Sequence, residues 1–228
     1  MKRLGYVPTY FGADDGSDGG GKFKTYNGRA HKKVIDLKFE GYDSCFLYYK
    51  NPDASDAESA GYIGLGFTSC KMAEQTSIDI GFHEKIVNSE SPELSVILRE
   101  VANLWEWDYG FGVADAFRKR PWIYLNSGDP GTLTDEEGMK LDNWYQAWQP
   151  ELRRKCLRDI FPFMLIGQEH LNQSASNTQT LEGFIKSHKY SNLEQVSPES
   201  WIWKVDESQV ENVRGLLANS GILLSLVD

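Results

Sequence analysis

The sequence predicts an α+β fold: a mostly antiparallel sheet from the N-terminal half, with helices packed on it from the C-terminal half. Two observations predict the arrangement. Short β-like segments at residues 34–39, 44–50, 61–69 and 76–82 follow one another across polar, Gly- and Pro-containing breaks, as in an antiparallel meander. Apolar faces at helical spacing begin only after residue 90. A third observation says that a core can form: hydrophobic residues are 40% and aromatics 13% of the 228 residues, ample for one large domain or two small ones.

Residues 1–31 are rich in Gly, Asp and Lys, with GADDGSDGGGK at their centre. They are expected to form a flexible N-terminal arm, leaving residues 32–228 as a single α+β domain. The glycine spacing matches neither GxxxxGK[ST] nor GxGxxG, so a phosphate-binding loop is disfavoured. Residues 34–39 (VIDLKF) alternate like a half-buried strand. Residues 44–50 (SCFLYYK), 61–69 (GYIGLGFTS) and 76–82 (TSIDIGF) continue the sheet. The GxxGxG order of Gly61, Gly64 and Gly66 is no nucleotide fingerprint; glycines in a strand mark bulges or close backbone approach.

Ser91-Pro92-Glu93 opens the first helix, with a capping residue, a proline at the first helical position and an acid at the positive dipole end. Leu94, Ile97, Leu98, Val101, Leu104 and Trp105 share one face. Gly110 and Gly112 are expected to end it, and residues 111–117 and 122–125 return to strand character. Thr134 and Glu137 form a capping box for a second helix with Leu141, Trp144, Tyr145 and Trp148 on one stripe, stopped by Pro150. A short helical pattern spans residues 151–160. Residues 161–166 are a buried apolar run, 180–188 a helix with Leu181, Phe184 and Ile185 inward, and 201–205 (WIWKV) a strand. A last helix over 206–221 is capped by Asp206 and closed at Gly221, with Val210, Val213, Leu216 and Leu217 on its face. The apolar tail beyond it should be tied down.

The formal charge is −9 and the pI about 5.0. An acidic surface repels phosphate, which argues against a nucleic-acid partner and suits a basic protein partner. No stretch approaches the roughly 20 apolar residues of a membrane span, so no membrane partner is expected. No signal-peptide pattern opens the chain, and Cys45, Cys70 and Cys156 are odd in number with no CxxC spacing. A reducing, cytoplasmic location is expected.

Catalytic motifs are not recognised. His83-Glu84 lacks the second histidine of HExxH, because position 87 is Val87. Glu169-His170 is a lone pair, more often a satisfied core or surface group than a metal site, since zinc needs three or four ligands. Cys156 follows Arg153-Arg154-Lys155, a charge pattern that can lower a thiol pKa, although a helix residue beside a solvated basic face explains it better. No GxSxG elbow is present. No enzyme activity, cofactor or metal is expected.

What remains is acid beside aromatic rings, twice over. Residues 100–117 contain Glu106, Asp108 and Asp115 without one Lys or Arg, among Trp105, Trp107, Tyr109 and Phe111. Residues 129–142 contain Asp129, Asp135, Glu136, Glu137 and Asp142 against Lys140 alone, with Trp144, Tyr145 and Trp148 next. Interfaces are enriched in Trp and Tyr, though large rings are more often core. The candidate partner-binding residues are therefore Asp108, Asp115, Asp135, Glu136, Glu137 and Asp142 for charge, with Trp144 and Trp148 as anchors.

The C-terminal run LRDIFPFMLIGQEHL (157–171), then LEGFI, WIWKV and a closing VRGLL…GILL, resembles the immunity proteins of bacterial polymorphic toxin systems. The Leu104-Trp105…Tyr109-Gly110-Phe111 stretch shares the likeness. The family it resembles accompanies toxins of restriction-endonuclease-type nuclease fold, including type VI secretion effectors. The resemblance spans residues 34–226 through scattered apolar, Trp and Gly positions, and it transfers no functional residue. It implies a protein that binds a cognate toxin, a basic nuclease domain, and blocks its active site or substrate channel without catalysis. The alternatives are an enzyme whose site is assembled across the fold, or an adaptor for a non-toxin protein.

Overall fold

Asn27 shows how local chemistry overrides pattern in the first unit. Its side-chain oxygen accepts the Arg29 N–H at 3.0 Å and its carbonyl accepts the His31 N–H at 3.0 Å. These bonds start a helix, α1 (Gly28–Asp36), so residues 34–36 are helical where the alternation of residues 34–39 predicts a strand; residues 37–39 lie outside the described residues. The correction has a simple cause: period-2 alternation over a few residues is weak, and a capped segment carrying Arg29, Ala30, Lys32 and Lys33 favours helix.

The computed structural model describes residues 5–14, 24–36, 43–49, 63–70, 75–83, 86–87, 91–103, 106–112, 135, 138–139 and 150–224. The chain divides into two compact units, residues 1–90 and 91–228. This differs from an arm followed by one domain, with the boundary at residue 31.

In the first unit, β1 (Tyr10–Asp14), β2 (Lys24–Thr25), β3 (Ser44–Tyr49), β4 (Ile63–Cys70) and β5 (Gln75–Phe82) form one antiparallel sheet in the order β2-β1-β3-β4-β5. The meander β3-β4-β5 is as expected. Strands β1 and β2 lie within the segment predicted as a flexible arm. Strand β1 is held along its whole length, from Tyr10 opposite Tyr48 to Asp14 opposite Ser44. The centre of the Gly/Asp-rich stretch, residues 15–23, lies outside the described residues. Phe11 and Cys45 are buried against Ala13, Tyr26 and Leu47. Burial pushes the Cys45 thiol up to about 11.

The second unit starts with α2 (Pro92–Ala102). Pro92 takes the first helical position, where a missing N–H costs nothing. The helix ends at Asn103 rather than at the glycines: the Asn103 side chain donates to the Arg99 carbonyl at 2.7 Å, and the Trp107 indole N–H donates to the Val101 carbonyl at 2.8 Å. Side-chain donors thus satisfy the last carbonyls of the helix. Then follow β6 (Gly110–Gly112), α3 (Pro150–Arg153), β7 (Phe163–Gly167), α4 (Gln168–Leu171), the hairpin β8 (Ser174–Ser176) and β9 (Gln179–Thr180), α5 (Leu181–Ser187), β10 (Ser191–Ser197), β11 (Ser200–Val205) and, after a 3-10 turn at Glu207–Gln209, α6 (Val210–Leu217). Pro150 is the first residue of α3, and that helix is far shorter than the pattern over 151–160 predicts.

Strands β10-β11-β7-β6 make a second antiparallel sheet. The α+β class stands, but strands are not confined to the N-terminal half, and the C-terminal helices pack on this sheet. Register decides its faces. Phe111, Met164, Trp203 and Leu193 lie opposite one another in a row. Met164 and Trp203 are buried in one cluster with Leu171, Leu181, Phe184, Ile185, Val213 and Leu217, and Phe111 and Leu193 pack against it. Helices α4, α5 and α6 supply that layer. The next row, Gly110, Leu165, Ile202 and Glu194, faces the other way. There Arg99 of α2 pairs with Glu194 at 2.5 Å and the Lys204 ammonium donates to Ser95 at 2.7 Å. A helix therefore flanks each face of the sheet. Fully burying a side chain the size of Leu or Met contributes about 2 kcal/mol, so the cluster is the main source of this unit's stability.

Two further ties close the unit. Leu157 and Leu223 form a parallel bridge, with Leu157 N–H to the Ile222 carbonyl at 2.8 Å and Leu224 N–H to the Leu157 carbonyl at 2.9 Å. The apolar tail is thus held through Leu224. Arg214 of α6 donates to Asp159 at 2.6 Å and to the Ile160 carbonyl at 3.3 Å. Thr180 caps α5 through the Gly183 N–H, and Leu181, Phe184 and Ile185 are buried as predicted. On α6, Val213 and Leu217 are buried, whereas Leu216 is 52% exposed, a correction to its place on the inner face.

Candidate partner-binding face

The acid-and-ring segment after α2 separates its two chemistries. The Trp107 indole caps the helix and its ring is half-buried. Tyr109 and Phe111 pack against the core, with ring centroids 6.1 Å apart. Phe111 stacks on Phe161 at 4.5 Å and lies under the Arg158 guanidinium at 4.9 Å. Burial pushes the Tyr109 phenol up. These rings are packing, and the carboxylates between them take the surface: Glu106 is exposed and the Asp108 side chain is 40% exposed.

Asp108 accepts from Arg154 Nε at 2.8 Å. The absence of Lys and Arg from residues 100–117 therefore does not leave this acid uncompensated; its cation comes from the turn after α3. The Arg154 side chain is 61% exposed. Asp108, by its hydrogen bond and its charge, pushes the guanidinium above its ordinary value, and Glu169 and Glu106 add to this from further away. Two chain segments, the one before β6 with Glu106 and Asp108 and the start of α4 with Glu169, thus bear by charge on one arginine. Glu106 and Glu169 were not among the strongest sequence candidates, because nothing local in the chain shows that they converge.

Asp135 is helical and exposed. Asp115, Glu136, Glu137, Asp142, Trp144 and Trp148 lie outside the described residues.

Below the face, His170 is 1% exposed. Its Nδ1 accepts the Gly167 N–H at 3.2 Å, so Nε2 carries the proton and donates to the Arg153 carbonyl at 2.8 Å. Burial pushes its pKa down to about 4, against the pull of the Arg153 and Cys156 backbone and of Glu169 and Asp108. Both ring nitrogens are occupied, so Glu169-His170 is not a metal site. Among the described residues no three His, Cys, Asp or Glu are grouped to hold a metal ion. Burial raises the Cys156 thiol pKa more than Lys155 lowers it, opposite to the activation that its basic neighbours suggest in sequence. No helix among the described residues is long and apolar enough to cross a membrane.

Comparison with protein-family models, with curated proteins and with solved structures returns no match.

Proposed function

We propose that this chain is an immunity protein: it binds a cognate bacterial toxin, a basic nuclease effector, in the cytoplasm and blocks its active site or substrate channel by occupancy, without catalysis. The observation that carries this reading is the solvent-facing Asp108–Arg154 pair at 2.8 Å, beside exposed Glu106 and Glu169 whose charge also bears on Arg154, with the adjoining Tyr109 and Phe111 rings spent on packing. Most of the excess of acids over bases also falls in residues 91–228. A nuclease cleft must be basic to hold phosphates. An acidic face complements it, steers the encounter and disfavours nucleic acid as a competing ligand. Arg154 gives the face a specific shape of charge, so partners with a matching carboxylate are selected over any polycation.

The test is co-expression with the open reading frame adjacent to this gene. Growth rescue and co-purification as a stable complex are the expected results. A neighbouring product that is harmless alone, or that is not bound, contradicts the reading.

A further inference from the structure

The segments that carry the face meet one buried ring. Asp108 precedes Tyr109, whose ring centroid lies 5.8 Å from that of His170. Arg154 follows Arg153, whose carbonyl accepts from His170 Nε2 at 2.8 Å. Glu169 is the neighbour of His170 on α4, and the Gly167 N–H at the start of α4 bonds to Nδ1 at 3.2 Å.

We propose that His170 is the positioning residue of the acidic face: its Nε2–H anchor on the Arg153 carbonyl and its ring contact with Tyr109 hold Arg154 and Asp108 at bonding distance. The proposal rests on the reading of this face as the binding surface. It differs from a space-filling role in its demands. Packing alone needs the ring's volume. Positioning needs a donor aimed at Arg153. The peptide held there is the one that leads directly into Arg154, so losing that bond frees the turn that presents the guanidinium. Charged and titratable groups around the ring are Asp108 and Tyr109 from the segment before β6, Arg153 and Cys156 from the end of α3 and its turn, and Glu169 from α4. Protonation puts a second N–H at Nδ1, facing the Gly167 N–H, and so removes the acceptor that starts α4.

Two substitutions separate the bonds. Asn places its amide oxygen near the Nδ1 position and keeps the Gly167 bond, but it is too short to reach Arg153. Gln carries an amide nitrogen near the Nε2 position and keeps the Arg153 bond. The experiment is 15N relaxation on the free full-length chain, with the Trp203 indole N–H reporting the fold. In His170→Gln, backbone order at Arg154 and Lys155 stays near the rigid value of about 0.85; in His170→Asn it falls below about 0.6. In the wild-type chain, acidification lowers order at the same residues in step with His170 protonation. Identical behaviour of the two variants, or protonation of His170 that leaves Arg154 unmoved, overturns the proposal. No toxin is involved, so failure here leaves the immunity reading standing, and failure of that reading leaves this result intact.

Discussion

Arg154 and Asp108 are 46 residues apart in the chain and 2.8 Å apart in space. The contact joins the turn after α3 to the segment before β6. It gives an apparently unrelieved acidic stretch a guanidinium partner from a distant segment. Both partners are well exposed, so the pair's value lies in arranging charge rather than in stability.

The Arg214–Asp159 pair is the opposite case. Its side chains are 18% and 14% exposed, and Arg214 also reaches the Ile160 carbonyl. Arg214→Ala leaves Asp159, among the described residues, with the Ile160 N–H as its side-chain hydrogen-bond partner. The expected loss is about 2 kcal/mol, read as a lower urea midpoint at unchanged slope.

Stability should fall with acid. The folded His170 pKa is about 4, below its ordinary 6.5. The unfolded chain therefore binds the proton first as pH drops. The contribution is complete above 6.5 and is lost as pH falls towards 4, about 3 kcal/mol in all. Unfolding at a series of pH values checks this; His170→Gln should show a shallower dependence over the same window.

Two glycines with open space around them should respond with opposite signs. Gly215 lies within α6, and a Cβ there meets nothing within 4 Å. Gly215→Ala is expected to stabilise by about 0.5–1 kcal/mol. Gly221 has equal space but φ of +73°. Gly221→Ala should destabilise by about 1 kcal/mol. Thermal melts of the two variants decide it.

Much of the fold was legible where one local rule dominates. The strands β3, β4 and β11 and the buried face of α5 all follow from spacing and chemistry within a few residues, whereas the run over 161–166 was read as buried but not as strand β7. Strand β10 (Ser191–Ser197, SNLEQVS) was not legible. It is an edge strand, its apolar content is two residues, and its pairing with β11 is set by the partner strand. Strand β1 was hidden for a similar reason: its glycine and aspartate suggest a loop, and only β3 and β2 hold it extended. The candidate face was half legible. Acids beside rings in residues 105–111 pointed to it, but Arg154 and Glu169 join it through tertiary folding, which no periodicity encodes.

The triplet Asp135, Glu136 and Glu137 belongs to the second acid-and-ring stretch. Asp135 is exposed, and charges at an interface rim act mainly on association rate. If the adjacent-gene product is the proposed partner, reversal of all three to Lys should slow association with it about tenfold and reduce its salt dependence, with the circular dichroism spectrum unchanged. Stopped-flow mixing at two salt concentrations measures both.

The most direct measurement is the affinity of the purified adjacent-gene product for the wild-type chain and for Glu106→Lys/Glu169→Lys, by calorimetry at low and high salt. The account predicts tight wild-type binding that weakens with salt, and at least about a tenfold loss in the variant at low salt. Equal affinity of the two proteins at both salt concentrations would contradict it.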